Sequence, residues 1–155
     1  MSTMIRPAAP ARVRSGQLLG ARQLADVVRR LAASPSDWLG RVRLNPAGRW
    51  YERIHLDDSH EVWVISWLPG QATGFHDHGE SNVGFCVAQG TLVEQQLRFA
   101  EAPAAATMAV GDSRAAGSDF IHCLEWETGT PALSVHVYSP PLAVVGQYRY
   151  EENGT

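Results

Sequence analysis

Two histidines, His76 and His78, lie two positions apart in the segment Gly-Gln-Ala-Thr-Gly-Phe-His-Asp-His. On a β-strand, side chains two positions apart project from the same face, so both imidazoles would point into one space. Imidazole binds zinc, nickel and iron, and a single ion needs its ligands in one such space. An isolated pair of this kind is more often two surface histidines, so further ligands decide between these interpretations.

Four more histidines are present in the chain. His122 and His136 each lie in a short apolar segment that has the pattern of a strand, whereas His55 and His60 flank an Asp-Asp turn and are expected to face solvent. His122 and His136 are therefore the candidates to join the first pair.

The spacing of these residues resembles the two metal-binding motifs of the cupins. The match covers residues 70–126, with the departure that Asn82 and Val83 stand where the first motif places a Glu ligand. The resemblance implies a small jelly-roll barrel whose interior holds one metal ion. It implies three ligands, which are His76, His78 and His122.

The absent Glu changes the charge expected at the ion. Many mononuclear iron sites use two histidines and one carboxylate, which leaves a single positive charge. Three neutral imidazoles leave a divalent ion with its full charge, and such a centre favours an anionic ligand such as a thiolate. A three-histidine zinc site of a hydrolase is the competing use of the same ligands, and it stays open at this stage.

Several separate segments, within residues 45–142, are similar to the cysteine dioxygenase family of thiol dioxygenases. The resemblance implies an iron(II)-dependent enzyme that oxidises L-cysteine to cysteine sulfinic acid with O₂. A dioxygenase for another small thiol, such as 3-mercaptopropionate, and a non-catalytic metal-binding cupin sensor are the alternatives. The similar segments are His76-Asp-His78, Trp67, Tyr51-Glu-Arg53 and Ser134-Val-His136-Val-Tyr138-Ser-Pro-Pro.

The resemblance also implies how the substrate is held. Arg53, assisted by Tyr51, would bind the carboxylate of cysteine, because a guanidinium forks onto a carboxylate. Members that act on 3-mercaptopropionate generally carry Gln at this position, so Arg53 favours cysteine. A surface Arg53 paired with Glu52 or Asp57 is the alternative for this residue.

Ser134, His136 and Tyr138 alternate along one predicted strand and therefore share a face. In an inward-facing row each side chain could hydrogen-bond the next, and the resemblance implies a relay of this kind that sets the Tyr138 hydroxyl beside the metal. It also implies a cis peptide between Ser139 and Pro140. A polar patch on an exposed strand face is the alternative.

Trp67 and Val83 are predicted to form walls of the same pocket. Mammalian family members carry a cysteine seven residues after the first ligand, joined to the tyrosine by a thioether. Val83 occupies that position here, and Cys86 lies three residues further on with the opposite strand parity. The crosslink is therefore expected to be absent.

The elements that must position these residues follow from periodicity and turn signals. Helical spacing of apolar residues predicts a helix that begins at Ser15 and ends before Pro35, followed by a short helix near Ser36. Short segments separated by Gly, Pro and Asp turns predict a series of strands. These strands are 49–56, 61–68, 73–78, 83–89, 91–99, 107–110, 118–127 and 131–138, with a loop at 101–106.

The predicted fold is mainly β, a cupin jelly-roll barrel over about residues 45–142 with N-terminal helices at 15–40. Residues 15–155 are expected to form a single domain behind a mobile lead-in at 1–14. A net charge of −3 gives no footprint for nucleic acid or an anionic membrane. No apolar run long enough to span a bilayer and no secretory signal is present, so a cytoplasmic location is expected. No protein partner is implied.

Overall fold

The computed structural model describes residues 17–98, 101–126 and 129–151. The lead-in expected at 1–14 and the helix start expected at Ser15 lie outside the described residues. No helix within the described part is long and apolar enough to cross a membrane.

The described residues form one α-helix, two short 3₁₀ turns and ten β-strands. The helix α1 (Ala21–Ala32) is followed by the turns Pro35–Asp37 and Leu39–Arg41. The strands are β1 (Trp50–Leu56), β2 (Glu61–Trp67), β3 (Phe75–His76), β4 (Asn82–Gln89), β5 (Leu92–Leu97), β6 (Ala104–Met108), β7 (Ser113–Ala116), β8 (Ile121–Trp126), β9 (Ala132–Ser139) and β10 (Gln147–Tyr148).

The strands form two antiparallel sheets of five strands each. The first sheet has the order β1-β2-β9-β4-β7 and the second has the order β10-β3-β8-β5-β6. In the first sheet, His136 of β9 is opposite Trp63 of β2 and Phe85 of β4. In the second sheet, His76 of β3 is directly opposite His122 of β8. Two of the predicted metal ligands are therefore cross-strand neighbours.

Two apolar clusters cover the two faces of the first sheet. The inner cluster lies between the sheets and includes Trp67, Phe85 and Leu124, and the outer cluster lies under α1 and includes Leu24 and Val28. All eight residues of β9 are buried because both of its faces are covered. Side chains of β9 therefore alternate between the helix and the space between the sheets.

The helix approaches the first sheet closely at Gly84. A Cβ atom at this position would lie 3.0 Å from the Leu24 Cβ and 3.2 Å from the Val137 Cγ1. The 3₁₀ turn after the helix is tied back by Trp38, whose indole Nε1 donates to the Leu31 carbonyl at 2.8 Å. The helical part thus packs on the outer face of the first sheet, away from the space between the sheets.

The predicted mainly β fold with an N-terminal helix is confirmed, and the differences lie at the sheet edges. Part of the expected loop at 101–106 belongs to β6, and neither β7 nor β10 was predicted as a strand. All three are edge strands that pair on one side only. Their burial patterns do not alternate between buried and exposed residues, so the sequence carries no period-two signal there.

Candidate metal centre

The structure brings the three predicted ligands together. The ring centroids of His76 and His122 are 4.7 Å apart. The ring centroid of His78 lies 4.9 Å from that of His76 and 5.1 Å from that of His122. One ligand nitrogen from each ring can be chosen such that all three lie within 4.8 Å of one another, and all three residues are buried. The cross-strand pairing of β3 with β8 and the two-residue spacing of the pair create this cluster.

The hydrogen bonds of the rings fit a bound metal ion. His76 Nδ1 is 3.1 Å from the Gly74 carbonyl, and His122 Nδ1 is 3.1 Å from Glu94 Oε1, so both rings keep Nε2 for a ligand bond. Both nitrogens of His78 are buried and have no partner among the described residues. Orphaned buried polar atoms are rare in proteins, and a metal ion bound in the cluster would give one of the two His78 nitrogens a partner.

The surroundings keep these imidazoles in the neutral form that binds metals. Burial lowers the pKa of His76 to about 4 and that of His78 to about 3, and the positive charge that His122 would carry adds to both shifts. A neutral imidazole offers a lone pair without first losing a proton. The site is therefore prepared for a cation at neutral pH.

Glu94 is a part of the centre that sequence analysis missed. Its carboxylate is fully buried behind His122, and it also accepts hydrogen bonds from Arg114 Nε at 2.8 Å and Gln96 Nε2 at 3.2 Å. Burial alone would raise the pKa of Glu94, but these donors hold it below its ordinary value. The alternation of Leu92 with Glu94 on β5, a charge at an inward position, was the available signal.

A cavity of about 350 Å³ opens onto the centre. Its lining combines His76 and His78 with aromatic and aliphatic side chains, one tyrosine hydroxyl of β9 and one arginine, and it contains no acidic residue among the described ones. The size is at the lower end for small-molecule sites. The polar side chains of the lining include Arg49, Tyr51 and Tyr138.

The predicted row on β9 faces this cavity in part. Trp67 Nε1 donates to Ser134 Oγ at 2.9 Å, and Ser134 Oγ lies 2.8 Å from His136 Nε2. Tyr138 lines the cavity, but its ring centroid is 6.4 Å from that of His136, and no hydrogen bond joins the two in the described structure. The Ser139–Pro140 peptide is cis. The first half of the predicted relay is present, and the second half is not.

The predicted substrate residues are placed differently from one another. Tyr51 lines the cavity, with 60% of its surface exposed. Arg53 is outside the lining, and its Nη1 pairs with Glu61 Oε2 at 3.4 Å, rather than with either acidic residue considered from the sequence. Trp67 and Val83 are buried and are not among the residues that line the cavity, so the prediction that they form its walls is not met. Arg49, two residues before Tyr51, is the arginine that lines the cavity.

Both cysteines are free. Cys86 lies in the outer cluster under the helix, on the opposite face of the sheet from Tyr138. Its position agrees with the expectation of no thioether. Of the remaining histidines, His55 is exposed as expected, whereas His60 is half-buried and stacks on His55 with ring centroids 4.5 Å apart.

A segment near the end of the chain covers one side of the cavity. Leu142, Val145 and Gln147 line it, and β10 pairs with β3 beside the ligands. Asp77, between the two ligand histidines, accepts hydrogen bonds from the Gly146 amide and the Tyr148 hydroxyl. No motif in the sequence indicated this contact, because a short edge strand carries no periodic signal.

Comparison with known proteins gives one family match. The profile of the family "Cysteine dioxygenase type I" matches residues 13–151. The structure is also similar to solved structures of low sequence identity. A protein of Thermus thermophilus is 25% identical over 66% of this chain and 94% of its own, with a TM-score of 0.58.

Two further structures show the fold alone. A conserved protein of Klebsiella pneumoniae with a double-stranded β-helix domain is 15% identical over 88% of this chain and 100% of its own, with a TM-score of 0.61. A cupin 2 conserved barrel domain protein of Leptotrichia buccalis is 12% identical over 65% of this chain and 45% of its own, with a TM-score of 0.55. The predicted cupin fold is thereby confirmed.

Proposed function

Because the chain belongs to the cysteine dioxygenase type I family, we propose that it is an iron(II)-dependent thiol dioxygenase that oxidises L-cysteine to cysteine sulfinic acid with O₂. The observation that carries the proposal is the cluster of His76, His78 and His122, which supplies three imidazoles and no carboxylate. When bound, iron(II) would supply the redox chemistry that lets O₂ react with the thiol. Both oxygen atoms end on sulfur, so no external reductant is consumed.

The residues around the cluster set the ring orientation of the candidate ligands in the metal-free protein. Gly74 and Glu94 accept hydrogen bonds from the Nδ1 atoms of His76 and His122, which sets the orientation of each ring. Low pKa values keep His76 and His78 unprotonated at neutral pH. This preorganised set of lone pairs supports a resident metal ion better than it supports a purely structural cluster.

Tyr138 is the proposed hydrogen-bond donor to the substrate. Burial raises the pKa of its hydroxyl, so the group stays protonated at neutral pH. It can therefore donate a hydrogen bond to the bound thiol or to the oxidised product. Its ring centroid is 5.5 Å from that of His78, which places the phenol beside the metal ligands. Tyr51, an exposed residue of the lining, would contact the substrate, whereas Trp67 and Val83 are buried outside the lining and would act only through their neighbours.

Ser134 and His136 act as positioning residues in this proposal. Ser134 Oγ accepts a hydrogen bond from the Trp67 indole N–H, and its own hydroxyl can donate to His136 Nε2, which lies 2.8 Å away. This assignment leaves His136 neutral with its proton on Nδ1, in agreement with a pKa that burial holds well below the ordinary value. A neutral, fixed imidazole keeps a second positive charge away from the metal.

Oxygen uptake tests the proposed function. The protein is stripped of metal, reloaded with iron(II) without oxygen, and mixed with L-cysteine, 3-mercaptopropionate or cysteamine in air-saturated buffer. We expect thiol-dependent oxygen consumption with L-cysteine and a sulfinate product that carries both atoms of ¹⁸O₂. Zinc-loaded protein is the matched control and should consume no oxygen. Iron-loaded protein that consumes no oxygen with any of the thiols would overturn the proposal.

A further inference from the structure

We propose that His55, Asp57 and His60 form a second metal site, which binds a divalent transition-metal ion such as zinc. The site lies on the hairpin that joins β1 to β2, and it shares no residue with the cluster of His76, His78 and His122. It is independent of the proposed function, because neither a thiol nor O₂ takes part in this binding.

The hairpin brings three metal-ligating groups together within residues 55–60. One ligand atom from each of the three side chains can be chosen such that all lie within 4.8 Å of one another. His55 Nε2 is 3.0 Å from Asp57 Oδ2, and His60 Nδ1 is 3.3 Å from Asp57 Oδ1. The ligand atoms of a tetrahedral zinc ion are about 3.3 Å apart, as bond lengths of about 2.0–2.1 Å require. Both pairs of atoms therefore already have a separation that a shared ion can use.

The turn fixes the position of the carboxylate. Asp57 Oδ1 accepts hydrogen bonds from the Ser59 amide at 2.7 Å, the Ser59 hydroxyl at 2.8 Å and the His60 amide at 2.9 Å. The Asp57 amide donates to the His60 carbonyl at 3.0 Å, and Ser139 Oγ donates to the Ser59 carbonyl at 2.7 Å. These bonds tie the turn to the end of β9 and leave Asp57 Oδ2 to face His55. The carboxylate is thus held in place before an ion binds.

The two imidazoles lie side by side over this carboxylate. Their ring centroids are 4.5 Å apart with an angle of 30° between the ring planes. His60 Nδ1 also lies 2.7 Å from Ser59 Oγ, and that hydroxyl can keep its hydrogen bond to Asp57 when the nitrogen binds an ion. His55 and His60 are the ion-pair partners of Asp57 among the described residues, and no arginine there competes for its charge.

The ligand set selects the class of ion. Two imidazoles and one carboxylate suit zinc and the other late first-row divalent ions, whereas magnesium and calcium prefer oxygen ligands alone. The side chains of His55 and Asp57 are 45% and 46% exposed, so water can complete the coordination and the ion can exchange with solvent. A bound ion would join the end of β1 to the turn that precedes β2.

Zinc stoichiometry of the untagged full-length protein tests the site. The protein is stripped of metal, dialysed against zinc in the presence of a larger excess of magnesium, and analysed for bound metal. We expect H55Q to bind about one zinc ion fewer per chain than the wild type. His55 is exposed, and its loss leaves the hydrogen bonds of the turn in place. D58N is the matched control, because Asp58 is an exposed carboxylate of the same turn outside the cluster. It should bind as much zinc as the wild type.

Imidazole NMR locates the ion. In long-range ¹H–¹⁵N spectra, the ring nitrogens of both His55 and His60 should shift together as this equivalent of zinc binds. Equal zinc content in wild type and H55Q, a shift of only one of the two rings, or displacement of the zinc by magnesium would overturn the site. A loss of zinc in D58N as large as that in H55Q would indicate attraction by surface charge alone and would overturn it too. Absence of thiol-dependent oxygen uptake in iron-loaded protein would overturn only the dioxygenase.

Discussion

Substitution of Glu94 by Gln should weaken the metal centre from behind. The carboxylate accepts three hydrogen bonds, with Oε1 facing His122 and Oε2 facing Arg114 and Gln96. A glutamine has one oxygen and one amide group for the same positions. If its oxygen faces His122, its amide opposes two other donors. If it is reversed, the amide faces His122 Nδ1 and favours the tautomer whose proton blocks Nε2.

The magnitude follows from these contacts. Outer partners of metal-bound histidines contribute about 10- to 100-fold to metal affinity, so E94Q should weaken metal binding by that factor. Each hydrogen bond to a charged group contributes about 1.5–3 kcal/mol. Because the Arg114 side chain is 37% exposed and can be rehydrated, we expect the metal-free variant to lose about 2 kcal/mol of unfolding free energy, which lowers Tm by roughly 4–8 °C.

Chelator competition under anaerobic conditions measures the iron(II) affinity, and thermal unfolding of metal-free protein measures the stability. E125Q is the matched control, because Glu125 accepts the Gln95 amide at 3.0 Å on the same pair of strands and contacts no ligand histidine. It should leave metal affinity at the wild-type value. If E94Q lowers Tm while its affinity for iron(II) equals that of wild type, Glu94 stabilises the fold only, and the argument fails.

Three further predictions concern the surroundings of the site. Ser134→Ala leaves the buried Trp67 indole without its acceptor and should lower the unfolding free energy by about 1–3 kcal/mol in urea titrations; an unchanged midpoint would contradict the assignment. Tyr148→Phe removes one of the hydrogen bonds to Asp77 and should speed proteolysis near the end of the chain, with a stability loss below about 1 kcal/mol. The pKa of His76 is about 4 in the folded protein and near 6.5 in the unfolded chain, so between these pH values only the unfolded chain binds a proton at this residue. The free energy of unfolding is therefore highest above pH 6.5 and decreases as the pH falls below that value. Metal-free protein should lose roughly 2 kcal/mol per such histidine at pH 5 relative to pH 7, and equal urea midpoints at the two pH values would refute this.

The cluster of candidate metal ligands was predictable because the spacing of these residues in the sequence translates directly into geometry. His76 and His78 needed only a local extended conformation to face one space, and they now lie with His122 in one cluster. The alternation of Ser134 with His136 likewise became a 2.8 Å contact. Local periodicity is sufficient to predict which side chains lie together when they project from the same face of one strand.

The different surroundings of Arg49 and Arg53 could not be predicted from strand alternation. Both have the parity of Tyr51 on one strand, so alternation alone assigns them to the same face. In the structure, Glu61 on the adjacent strand gives Arg53 an ion pair, whereas Arg49 lines the cavity. A family motif identifies a position in the sequence, but the partner across the hairpin decides where a long side chain goes.

The charges around the cavity connect the site to its substrate class. Glu94 is the buried carboxylate nearest the ligands, and its charge is offset by Arg114. A divalent ion on three neutral imidazoles would therefore add to the positive charge of Arg49, with no acidic group in the described lining to balance it. An anionic ligand in the cavity would offset part of this positive charge.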